Sequence, residues 1–170
     1  MDDWPPNLDW ITENLAIGGA FPTAQAARLT DEMGVRAIID LRAEAAHDPT
    51  LTEAARVALL HLPTEDHCAV EPASLDRGVA FAGDFLARGQ RVLIHCREGV
   101  GRSALLGLCV LVDQGRSPLE ALSLAKDRRW QVSPNPAQYE AWAAWLRRRA
   151  IAAPDFDAFK TIAYRHLQGA

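Results

Sequence analysis

What this chain has little of narrows its function first. Cysteine is scarce: the 170 residues hold three, Cys68, Cys96 and Cys109, with no C-x-x-C pair among them. So odd and sparse a set builds neither a disulfide framework nor a cysteine zinc site, and at least one thiol is expected to be free. Long apolar runs are missing too. The longest, Ala104 to Val112, falls far short of the roughly 20 residues that span a bilayer, so no stable membrane insertion is expected. Positive charge is not in excess. A formal net charge of -4 gives no broad footprint for nucleic acid or an anionic membrane, so any positive field must be local. Repeats, low-complexity tracts and Gly/Ser linkers are absent, which leaves one domain as the best count. The start, "MDDWPPNLDW", has neither the basic residues nor the apolar stretch of a secretory signal, and a cytoplasmic location is expected.

What is present suffices for a folded core, since 49% of the residues are hydrophobic. Short apolar or β-branched stretches at 14–19, 35–41, 59–63 and 91–96 are bounded by turn residues and read as strands. Helical patterns lie between them. Thr23 to Met33 stops at Gly34, Pro72 to Arg88 stops at Gly89, and Ser103 to Gln114 stops at Gly115. "SPLE" (117–120) joins an N-cap serine, a proline at the first helical position and a glutamate three residues after the cap. Asn135 and Pro136 open a further helix, whose aromatics at 139, 142 and 145, with Trp130 before them, read as core and whose closing arginines suit the helix dipole. This alternation predicts an α/β fold: a central, largely parallel sheet flanked by helices, with ligands beyond the strand C-termini.

The informative stretch is "VLIHCREGVGRS" (92–103). An apolar strand runs into a loop, and a helix begins at Ser103. Unpaired backbone N–H groups and the positive end of a helix dipole converge in such a loop and make an anion site. Gly99 and Gly101 let successive N–H groups turn inward, so residues 97 to 102 (Arg97, Glu98, Gly99, Val100, Gly101 and Arg102) form a candidate phosphate cradle. The same setting favours a thiolate, which makes Cys96 a candidate nucleophile. Arg102 offers a planar fork to two phosphate oxygens.

"HCREGVGRS" resembles the H-C-x5-R-[S/T] loop of the cysteine-based protein tyrosine phosphatases, and the chain around it, from about residue 8 to 149, is similar to the compact dual-specificity branch. The resemblance implies a phosphate monoester hydrolase without metal or organic cofactor. Cys96 is then the nucleophile, Arg102 the phosphate ligand, and Ser103 the hydroxyl that assists the thiolate as leaving group. His95 orients the loop. The family also uses an aspartic acid about thirty residues upstream as proton donor. "LPTEDHCAVEP" (62–72) supplies Asp66 for that role, with Glu65 as its neighbouring rival.

Other residues carry open readings. Cys109 lies in an apolar helix and reads as packing. Cys68, near Asp66, is a candidate for a reversible disulfide with Cys96. Glu98 points to solvent or pairs with Arg102. Arg42 braces the phosphate loop or, as the preferred reading, makes a surface salt bridge. Gln138 orients the hydrolytic water or is an exposed residue of a first helical turn. The expected substrates are phosphotyrosine, with phosphoserine and phosphothreonine, on a protein or peptide. The alternative is a phosphoinositide, phosphatidylglycerophosphate or other small phosphate ester or lipid, and the 62–72 segment has the look of a mitochondrial lipid phosphatase. An inactive phospho-binding module is the rival from another class. Residues 1–150 are expected to form the catalytic domain. Residues 151–170 are expected to form a helical extension, packed on that domain or used in self-association through Phe156, Phe159, Ile162, Ala163 and Leu167.

Overall fold

A computed structural model of the chain describes residues 4–168, apart from the side chains of residues 51, 52 and 54. Five strands form one sheet: β1 (Leu8–Trp10), β2 (Leu15–Gly18), β3 (Val35–Arg42), β4 (Ala58–Thr64) and β5 (Arg91–His95). Their order is β1-β2-β5-β3-β4. β1 pairs antiparallel with β2, and every other pairing is parallel. The sheet is therefore mixed, with an antiparallel edge. β1 is too short to carry a readable alternation, which is why it escapes a sequence reading. β3 and β5 are buried along almost their whole length because helices cover both faces of the parallel part.

The helices are α1 (Ala26–Asp31), α2 (Pro49–Ala55), α3 (Pro72–Ala87), α4 (Arg102–Asp113), α5 (Pro118–Arg128), α6 (Pro136–Arg148) and α7 (Phe156–Ala163). A short 3-10 turn, Thr23–Gln25, leads into α1, so the helix expected over 23–33 is broken at its start. α4 is buried all round except at its last residue. An apolar helix of that kind belongs in the middle of a core, and it packs under β5 with α3, α5 and α6 around it. A smaller core on the other face gathers Ala16, Phe21, Leu29, Ile38 and Leu93.

α7 lies on α5. Phe159 and Ala163 are fully buried, Phe156 and Ile162 half-buried, whereas Leu167 is exposed. Tyr139 Oη donates to the Pro154 carbonyl at 2.6 Å, and Tyr164 Oη to that of Pro134 at 2.5 Å. Buried Lys126 donates to the carbonyls of Trp130 and Val132 and to His166 Nδ1, and burial pulls its ammonium down to about 8. Trp142 and Trp145 are core, as expected, and Tyr139 is nearly so, but Trp130 is 63% exposed. It sits beyond the end of α5 in the turn before α6, out of register with the other aromatics.

β5 is central, with β2 and β3 parallel on either side. The C-terminal ends of three strands therefore open onto one edge, where the segments after Gly18, Arg42 and His95 meet.

Candidate active site

The loop 96–101 turns all of its carbonyls away from its own centre. The Cys96 carbonyl accepts from His95 Nδ1 at 3.1 Å, and that of Arg97 accepts from the Ala20 N–H at 2.9 Å. Those of Glu98 and Gly99 accept from Arg129 Nη2 and Nε at 3.0 and 2.8 Å. Val100 accepts from Ser133 N–H and Gly101 from Leu105 N–H. A peptide plane whose carbonyl is held outward presents its N–H inward, so the donors of residues 97 to 102 converge as an anion cradle. Gly99 shows this directly: its N–H donates to Cys96 Sγ at 3.3 Å. Its φ is +73°, and a Cβ there would lie 2.5 Å from both Gly18 C and Arg129 Nη2, so only glycine fits.

Cys96 is buried, and its Sγ lies 3.2 Å from Ser103 Oγ in the first turn of α4. Arg102 opens that helix with a side chain 1% exposed. Nη1 and Nη2 grip the Glu44 carboxylate at 2.7 and 2.9 Å, and Nη1 also donates to the Thr64 carbonyl at 2.7 Å. Hydrogen bonds from Arg102 hold the Glu44 carboxyl down at about 2. Nη2 lies 3.2 Å from Asp66 Oδ1. Nε of Arg102 is buried and has no protein partner among the described residues. A buried charged donor without an acceptor is costly, and an anion in the cradle would satisfy it.

Asp66 stands on the loop between β4 and α3. The N-cap of α6 and one residue of its first turn hold that loop down: Asn135 Nδ2 donates to the His67 carbonyl at 2.7 Å and Gln138 Nε2 to that of Cys68 at 3.2 Å. Asn135 and Gln138 also cap the helix reciprocally. Gln138 is therefore not the exposed polar residue of the sequence reading but is 2% exposed, because its amide bridges helix cap and loop. A cavity of about 190 Å³ joins Cys96, Val100 and Gly101 to Asp66, Glu98, Ser133 and Gln138. Glu65 faces a neighbouring depression with Glu44 and Arg97 and does not line this cavity.

Two further side chains, Glu98 and Arg42, take a definite place. Glu98 does not pair with Arg102, a place taken by Glu44; its side chain is 68% exposed, 3.6 Å from the equally exposed Arg97. Arg42 is no surface bridge. Its Nε and Nη2 hold both oxygens of Asp40, which is 0% exposed, at 2.9 and 3.0 Å. Cys68 is exposed and free, and its side chain does not line the Cys96 cavity. Cys109 is fully buried, and burial pushes its thiol well up, out of reactive range.

Asp40, His47 and His95 form a group of three metal-capable side chains, all at least partly buried. Arg42 occupies both carboxylate oxygens there, so a cation would have to share Asp40 with a guanidinium. The group instead reads as a hydrogen-bonded support beneath Cys96. Glu44, His47 and Arg129 all escape the sequence reading. Their site partners lie 58, 48 and 30 residues away, and no local spacing announces such pairs.

The family described as dual specificity phosphatase, catalytic domain, matches residues 18–147. Phosphatidylglycerophosphatase and protein-tyrosine phosphatase 1 of Mus musculus is 31% identical over 146 residues, covering 80% of this chain and 76% of its own length. Dual specificity protein phosphatase 2 of Mus musculus is 38% identical over 76 residues; the match spans 44% of this chain but only 24% of that relative. The crystal structure of PTPMT1 in complex with PI(5)P superimposes with a TM-score of 0.79 at 25% identity, covering 85% of this chain and 97% of that one. Tk-PTP in its active form gives 0.76 at 24% identity, with 84% and 98% covered, a likeness of fold. The loop that holds Cys96 and Arg102 falls inside the matched region, and the chain belongs to the dual specificity phosphatase family of the cysteine-based protein tyrosine phosphatases.

Proposed function

We propose that the chain hydrolyses phosphate monoesters through a phosphocysteine formed on Cys96. The observation that carries this reading is the pairing of Cys96 Sγ, held by Gly99 N–H and Ser103, with the unpartnered buried Nε of Arg102 at one anion cradle. In the first step Sγ attacks phosphorus, the P–O bond to the leaving group breaks, and protonated Asp66 gives its proton to the departing oxygen. In the second step the Asp66 carboxylate takes a proton from water as the water oxygen attacks phosphorus. The P–S bond then breaks, and the Ser103 hydroxyl donates to the returning thiolate. Arg102 and the loop amides balance the charge on the equatorial oxygens throughout. Glu44 aligns the guanidinium.

Phosphotyrosine is the first substrate class, with phosphoserine and phosphothreonine beside it. A second reading, a phospholipid headgroup, draws on one feature of the cavity: apart from the His67 imidazole, no Phe, Tyr or Trp side chain among the described residues lines it to clasp a phenyl ring. The mouse relative's name joins the two activities, and PTPMT1 has been crystallised with PI(5)P. Glu44, Glu65, Asp66 and Glu98 surround the opening, and besides Arg102, which Glu44 and Asp66 already engage, Arg97 is the one basic side chain lining it among the described residues, which disfavours a ring bearing several phosphates. The inactive-module reading is opposed by the presence of Cys96, Arg102 and Asp66 together. Among the described residues no helix is long and apolar enough to cross a membrane. A cytoplasmic location is part of this proposal, tested by fractionating the tagged protein.

The test is phosphate release from a phosphotyrosine peptide in buffer with chelator and reductant, comparing wild type with Cys96→Ser. Activity lost in the variant supports the mechanism; activity retained in it overturns the mechanism. Release only from vesicles carrying phosphatidylglycerophosphate selects the lipid reading.

A further inference from the structure

Beneath the nucleophile lies a pair of imidazoles that the reaction itself does not use. His95 Nδ1 is 3.1 Å from the Cys96 carbonyl oxygen, which can only accept. His95 Nε2 is 2.8 Å from His47 Nε2. His47 comes from the loop after β3, with its side chain 4% exposed, and stacks on Phe21 at 4.8 Å and 21°.

Burial holds both rings below their usual range, His95 at about 4, so near neutral pH each carries a single proton. One arrangement then satisfies every contact. His95 must carry its proton on Nδ1 to meet the carbonyl, so its Nε2 is a bare acceptor, and His47 must supply Nε2–H. Among the described residues, the charged and titratable groups facing His47 are Asp40 and Arg42 from β3, His61 from β4 and His95 from β5. Asp40 lies 3.7 and 3.8 Å from the two Nε2 atoms, beyond hydrogen-bond range. Its oxygens already accept from the Arg42 backbone and guanidinium. It is nevertheless a negative charge beside His95 Nε2. Without a donor at position 47 it would draw the His95 proton to Nε2, and the bare Nδ1 would then face the Cys96 carbonyl.

We infer that His47 is a positioning residue that fixes the tautomer of His95, through Nε2–H···Nε2, so that His95 Nδ1–H holds the Cys96 carbonyl and aims the nucleophile. The inference deepens the proposed mechanism and rests on it, but its test reads proton position and thiol reactivity, not turnover.

Long-range 1H–15N correlation spectra of histidine-labelled protein at pH 7 report each tautomer. In wild type, His95 is expected on Nδ1–H and His47 on Nε2–H; the opposite tautomer at His95 overturns the inference without any variant. His47→Phe keeps a ring against Phe21 and removes the donor. It is expected to move His95 to Nε2–H and to slow iodoacetamide alkylation of Cys96 by about tenfold, the worth of one hydrogen bond. His47→Gln, which restores an amide N–H, is expected to recover most of that rate. An unchanged tautomer and rate in His47→Phe overturns the inference. So does an equal loss of rate and melting temperature in both variants, which would mark a packing role alone. Phosphate release that fails while these signatures hold would count against the proposed reaction and leave the His47 relay standing.

Discussion

At the scale of single residues, the site is organised by where carbonyls are sent. Six in succession point outward, and two of those are held by Arg129, which is itself buried and anchored to Asn7 Oδ1 and Asp9 Oδ2 at 2.7 and 2.9 Å. Replacing Arg129 with Met leaves the Gly99 carbonyl without its donor and the Glu98 carbonyl with only the long 3.4 Å bond from Asn7 Nδ2. The expected result is a destabilisation of at least about 2 kcal/mol with a matching loss of Cys96 alkylation rate, read by urea denaturation and iodoacetamide labelling; Arg129→Lys should recover part of both. Asp66→Asn tests a different group. It preserves shape but cannot give up a proton, so kcat should fall by roughly 10²–10⁴ with KM little changed. That loss should shrink for esters with good leaving groups, which need no proton. Cys96, Arg102 and Ser103 were legible in the sequence because one contiguous loop carries them. Glu44 was not, since the carboxylate that grips Arg102 arrives from the far end of β3.

Elements explain why that loop can exist at all. β5 delivers His95 between two parallel neighbours, α4 begins at once with Arg102, and the turn between them demands a left-handed residue at Gly99. Gly99→Ala is expected to abolish phosphate release while leaving the far-UV circular dichroism intact, because strand and helix persist and only the cradle is distorted. Retained activity would show that the loop tolerates the clash. The caps of α5 and α6 were readable from Ser117-Pro118 and Asn135-Pro136, since capping is local chemistry. That the α6 cap also ties down the Asp66 loop was not readable. Gln138 spends its amide on His67's neighbour Cys68, a contact 70 residues distant, and nothing in a first helical turn distinguishes such a glutamine from an exposed one.

Over the whole molecule, the buried histidine pair makes folding depend on pH. His95 is lowered by burial from 6.5 to about 4, so the unfolded chain takes up a proton before the folded one does. Its contribution is fully present above pH 6.5, falls as the pH drops from 6.5 towards 4, and changes no further below that. At full burial the loss approaches about 3 kcal/mol. Urea denaturation at pH 7 and pH 4.5 should show it, and His95→Gln should flatten the dependence. A flat wild-type profile would count against the neutral pair. The C-terminal helix belongs to this scale as well. Phe159 fills the space against Tyr139 and Trp142, and Phe159→Ala is expected to cost about 3–5 kcal/mol, read as a lower urea midpoint.

The sequence by itself determined the alternation of strands and helices, the strand-loop-helix that bears Cys96, and the preceding loop that carries Asp66. Those signals are periodicity, caps and a contiguous motif, all written within a few residues of one another. Only the tertiary structure decided that β1 closes the sheet as an antiparallel edge, that Glu44 aligns Arg102, that Arg129 turns two carbonyls outward and that His47 stands behind His95. Each of these joins groups brought together by the order β1-β2-β5-β3-β4. That order follows from the simultaneous burial of two sheet faces, a condition on the whole chain that no short stretch of it expresses.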